Sequence, residues 1–178
     1  KLDPNEYDKK GDDIWIHKTA KIAPTVSLKG PAIICEGAEL RQSAFIRGSV
    51  IIGKGSIAGN SCEFKNSVLF DDVQTPHYNY VGDSILGYKS HMGASSLTSN
   101  VKSDKSLVKI HLGNEDLETG RKKVGAMLGD FVEVGCGSVL NPGTVIGKNS
   151  IIYPLSSVRG TVAANSIYKA KDDVVKKN

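Results

Sequence analysis

Large apolar residues recur along this chain at every sixth position. From Ile16 they fall at Ile22, Leu28, Ile34, Leu40, Ile46, Ile52, Ala58, Phe64 and Phe70, and only Ala58 among them is small. Four residues after each stands a small or β-branched residue: Ala20, Val26, Ala32, Ala38, Ala44, Val50, Ser56, Cys62 and Val68. The beat returns at Leu128, Val134, Leu140, Ile146, Ile152 and Val158, with Val132, Ser138, Thr144, Ser150, Ser156 and Val162 as the small partners. A period of six fits neither the 3.6-residue turn of an α-helix nor the two-residue alternation of a hairpin sheet. It fits hexapeptide β-helix repeats, in which short strands and turns alternate around a prism, three hexads closing a coil of about 18 residues. The large residue fills the interior, and the small one lets the chain turn a corner. The expected fold is all-β, a single-stranded left-handed parallel β-helix of hexapeptide repeats.

The rhythm breaks twice. The first break is short, from Gln74 through Pro76 and His77 to Tyr80, with coils resuming near Leu86 and Met92. The second is long, polar and Lys-rich, residues 101–123, and includes Gly113-Asn114-Glu115-Asp116 and Thr119-Gly120-Arg121. Loops that leave a solenoid cover one of its faces, and polar loops of this length in a compact domain commonly carry function. The expected organisation is an N-terminal extension 1–15, a β-helix 16–165 with the loop insertion 101–123, and a short cap with a charged C-terminal tail 166–178.

Composition agrees with short strands and many turns, since aromatics make up 6% and glycine is abundant. Three cysteines, Cys35, Cys62 and Cys136, are odd in number and lack CxxC spacing, which argues against a disulfide framework or zinc site. Reduced thiols suit a cytoplasmic location, as does the lack of a signal peptide or membrane-length apolar run. The net charge of +4 comes largely from Lys-rich ends, and no basic patch interleaves with aromatics, so nucleic acid is not an expected partner.

Stacking sharpens the picture. Residues one coil apart lie about 4.8 Å from each other, so Lys29, Arg47 and Lys65 form a basic column. Like charges this close repel unless something negative intervenes; Glu63 can neutralise part, and a bound phosphate the rest. Solvated surface cations are the plainer alternative. The histidines at 77, 91 and 111 do not have the spacing of a three-histidine zinc site, so no metal is expected.

Three segments carry a family resemblance. His77-Tyr78-Asn79-Tyr80-Val81-Gly82-Asp83, Leu86-Gly87 and Met92-Gly93-Ala94-Ser95-Ser96-Leu97-Thr98-Ser99-Asn100 resemble the acetyltransferase half of bifunctional N-acetylglucosamine-1-phosphate uridylyltransferases. The end of the insert, Thr119-Gly120-Arg121-Lys122-Lys123-Val124-Gly125-Ala126-Met127-Leu128-Gly129-Asp130, is similar to archaeal-type sugar-1-phosphate nucleotidylyltransferases that carry such a C-terminal domain. The resemblance implies a homotrimer with sites between subunits, using acetyl-CoA to acetylate an amino-sugar 1-phosphate, glucosamine 1-phosphate above all, for nucleotide-sugar synthesis. It makes His77 the general base, with Tyr80 and Asn100 beside it at the reacting centre. Arg47 and Lys65 fall where the family grips the sugar phosphate, Glu63 where it holds the amino sugar, and His91 and Lys109 at further substrate positions. Ala94, Cys136 and Pro154 fall along the acetyl-CoA groove. Departures are His91 in place of Asn, Val101 in place of an aromatic, and Pro154 interrupting a coil of small residues. Nothing in these residues resembles a Gly-rich pyrophosphorylase domain.

The chemistry suits the assignment. Amine acetylation needs the thioester and amine in line, a proton acceptor and a donor for the oxyanion, and an imidazole titrates near neutrality. Two alternatives stand beside it: a non-catalytic β-helix that trimerises or regulates a nucleotidylyltransferase, and an acyltransferase for another sugar acceptor.

Overall fold

A computed structural model describes residues 2–11, 13–113, 115–170 and 173–177. Asn114 of the insert and Asn178 of the tail lie outside them. The described residues form no helix, and three sheets of nine, seven and nine strands, parallel except for one antiparallel strand at the end of each nine-stranded sheet, make the sides of a left-handed β-helix. The first face begins with Ile14–His17, Ala32–Ile34 and Val50–Ile52; the second with Lys21–Ile22, Glu39–Leu40 and Ile57–Asn60; the third with Ser27–Leu28, Phe45–Ile46 and Glu63–Lys65.

Each short strand is buried on one side because every second residue points into the prism. Ile34, Leu40, Ile46, Ile52, Phe64, Leu69, Leu86, Met92, Leu140, Ile146 and Ile152 are all within 1% of complete burial. After the first coil, most corners turn through a left-handed residue. Gly37, Gly55 and Asp72 do so between the first two faces, and Ser43, Ser61, Tyr78, Ser95 and Gly137 between the second and third. Glycine, Asn and Asp tolerate that conformation best.

The register corrects the expected first break. Early coils advance by 18 residues, Ile33 lying beside Ile51 and Phe45 beside Glu63. The next advance by 17: Val68 lies beside Ile51, Thr75 beside Ala58, and Val81 beside Phe64. The chain crosses from the third face to the first in one residue fewer. Leu69 is therefore the inward residue, while Phe70, expected inside, is 53% exposed. For the same reason Ser67 is buried at the corner and Val68 points outward. Two inward positions are also polar, Thr75 and Thr98, and both are fully buried. The Thr75 hydroxyl donates to the Ile57 carbonyl at 2.7 Å, and Thr98 Oγ1 accepts the Gly82 N–H at 2.9 Å, which makes their burial tolerable. Gln74–Tyr80 thus does not leave the coil: Gln74–His77 and Tyr80–Gly82 are strands of the second and third faces.

The long insert does leave it. Lys109–Leu112 and Glu115–Glu118 form an antiparallel hairpin, and its base closes with a bridge between Val101 and Lys123. The hairpin lies against the later coils, where Val108 and Ile110 are buried and Thr161 Oγ1 hydrogen-bonds the His111 carbonyl. Tyr7–Lys10 runs antiparallel to Ile14–His17 at one end. At the other, Ser166–Ala170 adds a parallel rung and Asp173–Lys176 turns back over it. Each antiparallel end strand covers the bare parallel edge of one face.

Outward residues of the first face form an unbroken apolar ladder: Trp15, Ile33, Ile51, Val68, Ile85, Met127 and Val145.

The shifted register is directly testable. Phe64→Ala should cost about 3–5 kcal/mol of stability, whereas Phe70→Ala should cost under about 1 kcal/mol. Urea unfolding of the two variants checks this, and comparable losses would contradict the 17-residue coils.

Candidate active site

Most of the residues singled out from the sequence fall into two groups, one at the corner between the second and third faces and one on the third face and its far corner. At the corner between the second and third faces, His77 lies directly over Asn60. Above it the chain is bonded corner to corner: Ser95 N–H donates to the His77 carbonyl at 3.0 Å, Gly137 N–H to Ala94 at 2.8 Å, and Leu155 N–H to Cys136 at 2.9 Å. His77, Ala94, Cys136 and Pro154 therefore form one column. The coils pack tightly just beside it. A Cβ on Gly93 would lie 2.7 Å from the Cys136 nitrogen, and one on Gly135 2.4 Å from the Pro154 nitrogen. Pro154 does not interrupt the coil as expected. The neighbouring residues Tyr153 and Leu155 make the coil-to-coil bonds, so a missing N–H at 154 costs none.

His77 is exposed at the end of its strand rather than on a loop. Asn79, two residues on, fixes it there. Its side chain is buried; Oδ1 accepts the His77 N–H at 3.2 Å, and Nδ2 donates to the carbonyls of Gly93 and Ser96 at 2.9 and 3.0 Å. Tyr78 between them adopts a φ of 53°, unusual for a bulky residue, and is exposed. Cys62 also contacts the Asn79 amide and is a packed interior thiol, as expected, with its pKa pushed up by burial.

The polar group lies on the third face and its far corner. Lys29, Arg47 and Lys65 are in vertical register, but each has a neighbour of its own. Lys29 Nζ lies 5.3 Å from the Phe45 ring centroid. Arg47 pairs with Glu63 at 2.6 Å, an exposed contact that raises the guanidinium pKa. Lys65 reaches both oxygens of Asp83 at 3.3 Å. Asp83 also accepts from Asn66 at 2.8 Å and from Asn100, and Asn100 donates to the Tyr80 hydroxyl at 3.2 Å. The Tyr80 ring lies over Gly82, where a Cβ would come within 2.4 Å of its hydroxyl.

Asp83 therefore ties Lys65, Asn66, Asn100 and, through Asn100, Tyr80 into one network. Neither Asp83 nor Asn79 was singled out as a site residue. Both stand inside the resembling segment, but their roles depend on which coils abut, and the one-residue shift hid that. His91 and Lys109 are not brought to this network. His91 lies on the second face paired with Glu133 at 2.8 Å, and Lys109 lies on the hairpin paired with Glu118 at 3.0 Å. Among the described residues no His, Cys, Asp and Glu group is arranged to hold a metal.

Burial alone would push the Asp83 carboxyl up; hydrogen bonds from Asn66 and Asn100 and the charge of Lys65 outweigh it and hold the carboxyl below its ordinary range. A folded-state value below the unfolded one adds stability that is complete above roughly pH 4 and is lost as pH falls through the folded value. Asp83→Asn should lower the thermal midpoint at pH 7, and the gap should narrow as pH drops below about 4. An equal gap at pH 7 and pH 3 would contradict the network.

Residues 28–111 match the family model described as the GMPPB C-terminal domain. The chain is 32% identical over 175 residues to the bifunctional protein GlmU of Methanococcus maripaludis, covering 88% of this chain and 42% of that protein. It is 31% identical over 175 residues to a bifunctional sugar-1-phosphate nucleotidylyltransferase/acetyltransferase of Sulfurisphaera tokodaii, covering 88% and 43%. The chain thus spans less than half the length of these curated relatives. Among solved structures, a hexapeptide transferase family protein from Anaplasma phagocytophilum superposes with a TM-score of 0.57 at 13% identity, covering 92% of this chain and 78% of that one. Across its hexapeptide-repeat solenoid the chain is similar to GlmU-type bifunctional proteins.

Proposed function

We propose that this domain transfers an acetyl group from acetyl-CoA to the amine of an amino-sugar 1-phosphate, with glucosamine 1-phosphate as the acceptor. The observation that carries the reading is the placement of His77 at the head of a tightly packed column, three residues before Tyr80 and its hydrogen-bonded network. The column of Ala94, Cys136 and Pro154 offers a straight path for the extended arm of CoA, and the polar third face suits a hydroxylated sugar. The relatives' printed names include an acetyltransferase, which supports the same chemistry.

In this mechanism the amine attacks the thioester carbonyl while the His77 imidazole takes its proton. The tetrahedral intermediate collapses with cleavage of the C–S bond, and the proton passes to the departing CoA thiolate. Tyr80 and Asn100 orient the acceptor, Glu63 accepts from its amino group, and Arg47 donates to its oxygens. With acetyl-CoA and a sugar phosphate as co-substrates, the location we propose is the cytoplasm.

The assembly we propose is a homotrimer. The apolar ladder from Trp15 to Val145 would be covered by neighbouring copies, and Ile51 and Ile85 on it are 37% and 46% exposed in the isolated chain. Apolar strips of that extent are uncommon on free monomers. One observation favours the non-catalytic alternative: Arg47 and Lys65 already have acidic partners, which weakens the argument that the column awaits a phosphate.

Release of free thiol from acetyl-CoA against a panel of amino-sugar 1-phosphates tests the activity. His77→Ala should lower turnover by about 10²–10⁴-fold with the oligomer intact, and unchanged turnover rules out His77 as the base. The double substitution Ile51→Glu, Ile85→Glu should leave a folded monomer by light scattering. If the double variant still assembles, the first face is not the interface.

A further inference from the structure

The sequence resemblance points to the Arg47–Lys65 column as the place for a phosphate, but the unpaired positive charge lies elsewhere. Where the insert rejoins the solenoid, Arg121, Lys122 and Lys123 stand in succession beside the corner between the third and first faces. With Asn66, Asp83 and the ladder residues Val68, Ile85 and Met127 they line a cleft of about 650 Å³, which in the proposed trimer borders the subunit contact. All three cations are exposed, and among the described residues none has an acidic partner. The neighbouring cations differ: Arg47 pairs with Glu63, Lys65 with Asp83, Lys102 with Asp104, and Lys109 with Glu118. The single acidic side chain in the cleft, Asp83, already has both oxygens engaged by Lys65, Asn66 and Asn100.

The backbone that carries the three cations is held in place. Arg121 N–H donates to Thr119 Oγ1 at 3.2 Å, and the Arg121 carbonyl accepts from Val108 N–H at 2.8 Å. Thr119 Oγ1 itself donates to the Val108 carbonyl. Lys123 bridges to Val101, and Val124 N–H donates to the Asn100 carbonyl at 3.0 Å. Three adjacent like charges, fixed on a closed loop base and facing a cleft, gain most from a multiply charged anion with several acceptor oxygens. Arginine offers planar paired donors to a phosphate, and lysines add point charges.

We infer that this cleft is an anion site that takes the phosphate group of a substrate through Arg121, Lys122 and Lys123. The site deepens the proposed acetyl transfer and rests on that reading for the source of the phosphate, though not for anion binding itself. The cleft adjoins the Asp83–Asn100–Tyr80 network, so a phosphate held here would bring the attached group onto the third face.

Calorimetric titration of the full chain with pyrophosphate at low salt tests it. Arg121→Gln and Lys123→Gln should each raise the dissociation constant about tenfold or more, the scale of a lost charge-assisted hydrogen bond, while Lys9→Gln should leave it unchanged. Circular dichroism melts of the same variants show whether they remain folded. Absence of pyrophosphate binding by the parent chain overturns the inference. So does binding that persists in both variants but is lost in Arg47→Gln. Separate titrations with glucosamine 1-phosphate and with CoA identify the source: a loss confined to the first assigns the acceptor's phosphate, and one confined to the second assigns the cofactor's. A chain that binds pyrophosphate through Arg121 and Lys123 yet releases no thiol would overturn the acetyltransferase reading and leave the anion site standing.

Discussion

The fold depends on one constraint, that each coil must lie flat on the coil below with its backbone hydrogen-bonded to it. Parallel rungs at this spacing leave room inside for one large side chain per face and force a sharp turn at each corner. The interior accepts Ile, Leu, Val and an occasional Thr, provided that the hydroxyl finds a carbonyl. The corners accept whichever residue tolerates a left-handed turn. Outward positions are then free to vary, and chemistry collects there.

That division explains what was legible in the sequence. The six-residue beat of Ile34, Leu40, Ile46 and Ile52 is a direct image of the interior, so the architecture could be read at once. Coil stacking also placed Lys29, Arg47 and Lys65 in register correctly. The beat failed where the interior turned polar and the coil shortened. Thr75 and Thr98 look like surface residues in a sequence, because nothing local announces that Ile57 and Gly82 will satisfy them. Phe70 seemed to continue the series only because Leu69 precedes it by one position.

The candidate site was legible in its parts more than in its assembly. His77, Ala94, Cys136 and Pro154 come from four coils and share one corner, an arrangement that follows once the register is known. His91 and Lys109 meet Glu133 and Glu118 instead of the third face, since outward direction and insert path are not encoded by spacing alone. Asp83 was passed over although its carboxylate accepts from three side chains. A carboxylate that organises two amides and an ammonium makes its neighbours rigid, which is a condition for any site that must hold a ligand in one pose.

The missing residue in the shortened coils has a further consequence. With 18 residues, Lys65 would stand beside Asp83; with 17 it stands beside Gly82, and the Tyr80 ring fills the space above that glycine. Asp83 moves to the corner, where it can gather ligands from two coils. A single deletion in a solenoid thus acts as a ratchet: it leaves the interior filled while sliding every later surface residue past those beneath it. New vertical neighbours become available without any change of side chain, and a scaffold built of near-identical steps can acquire a local site through a miscount.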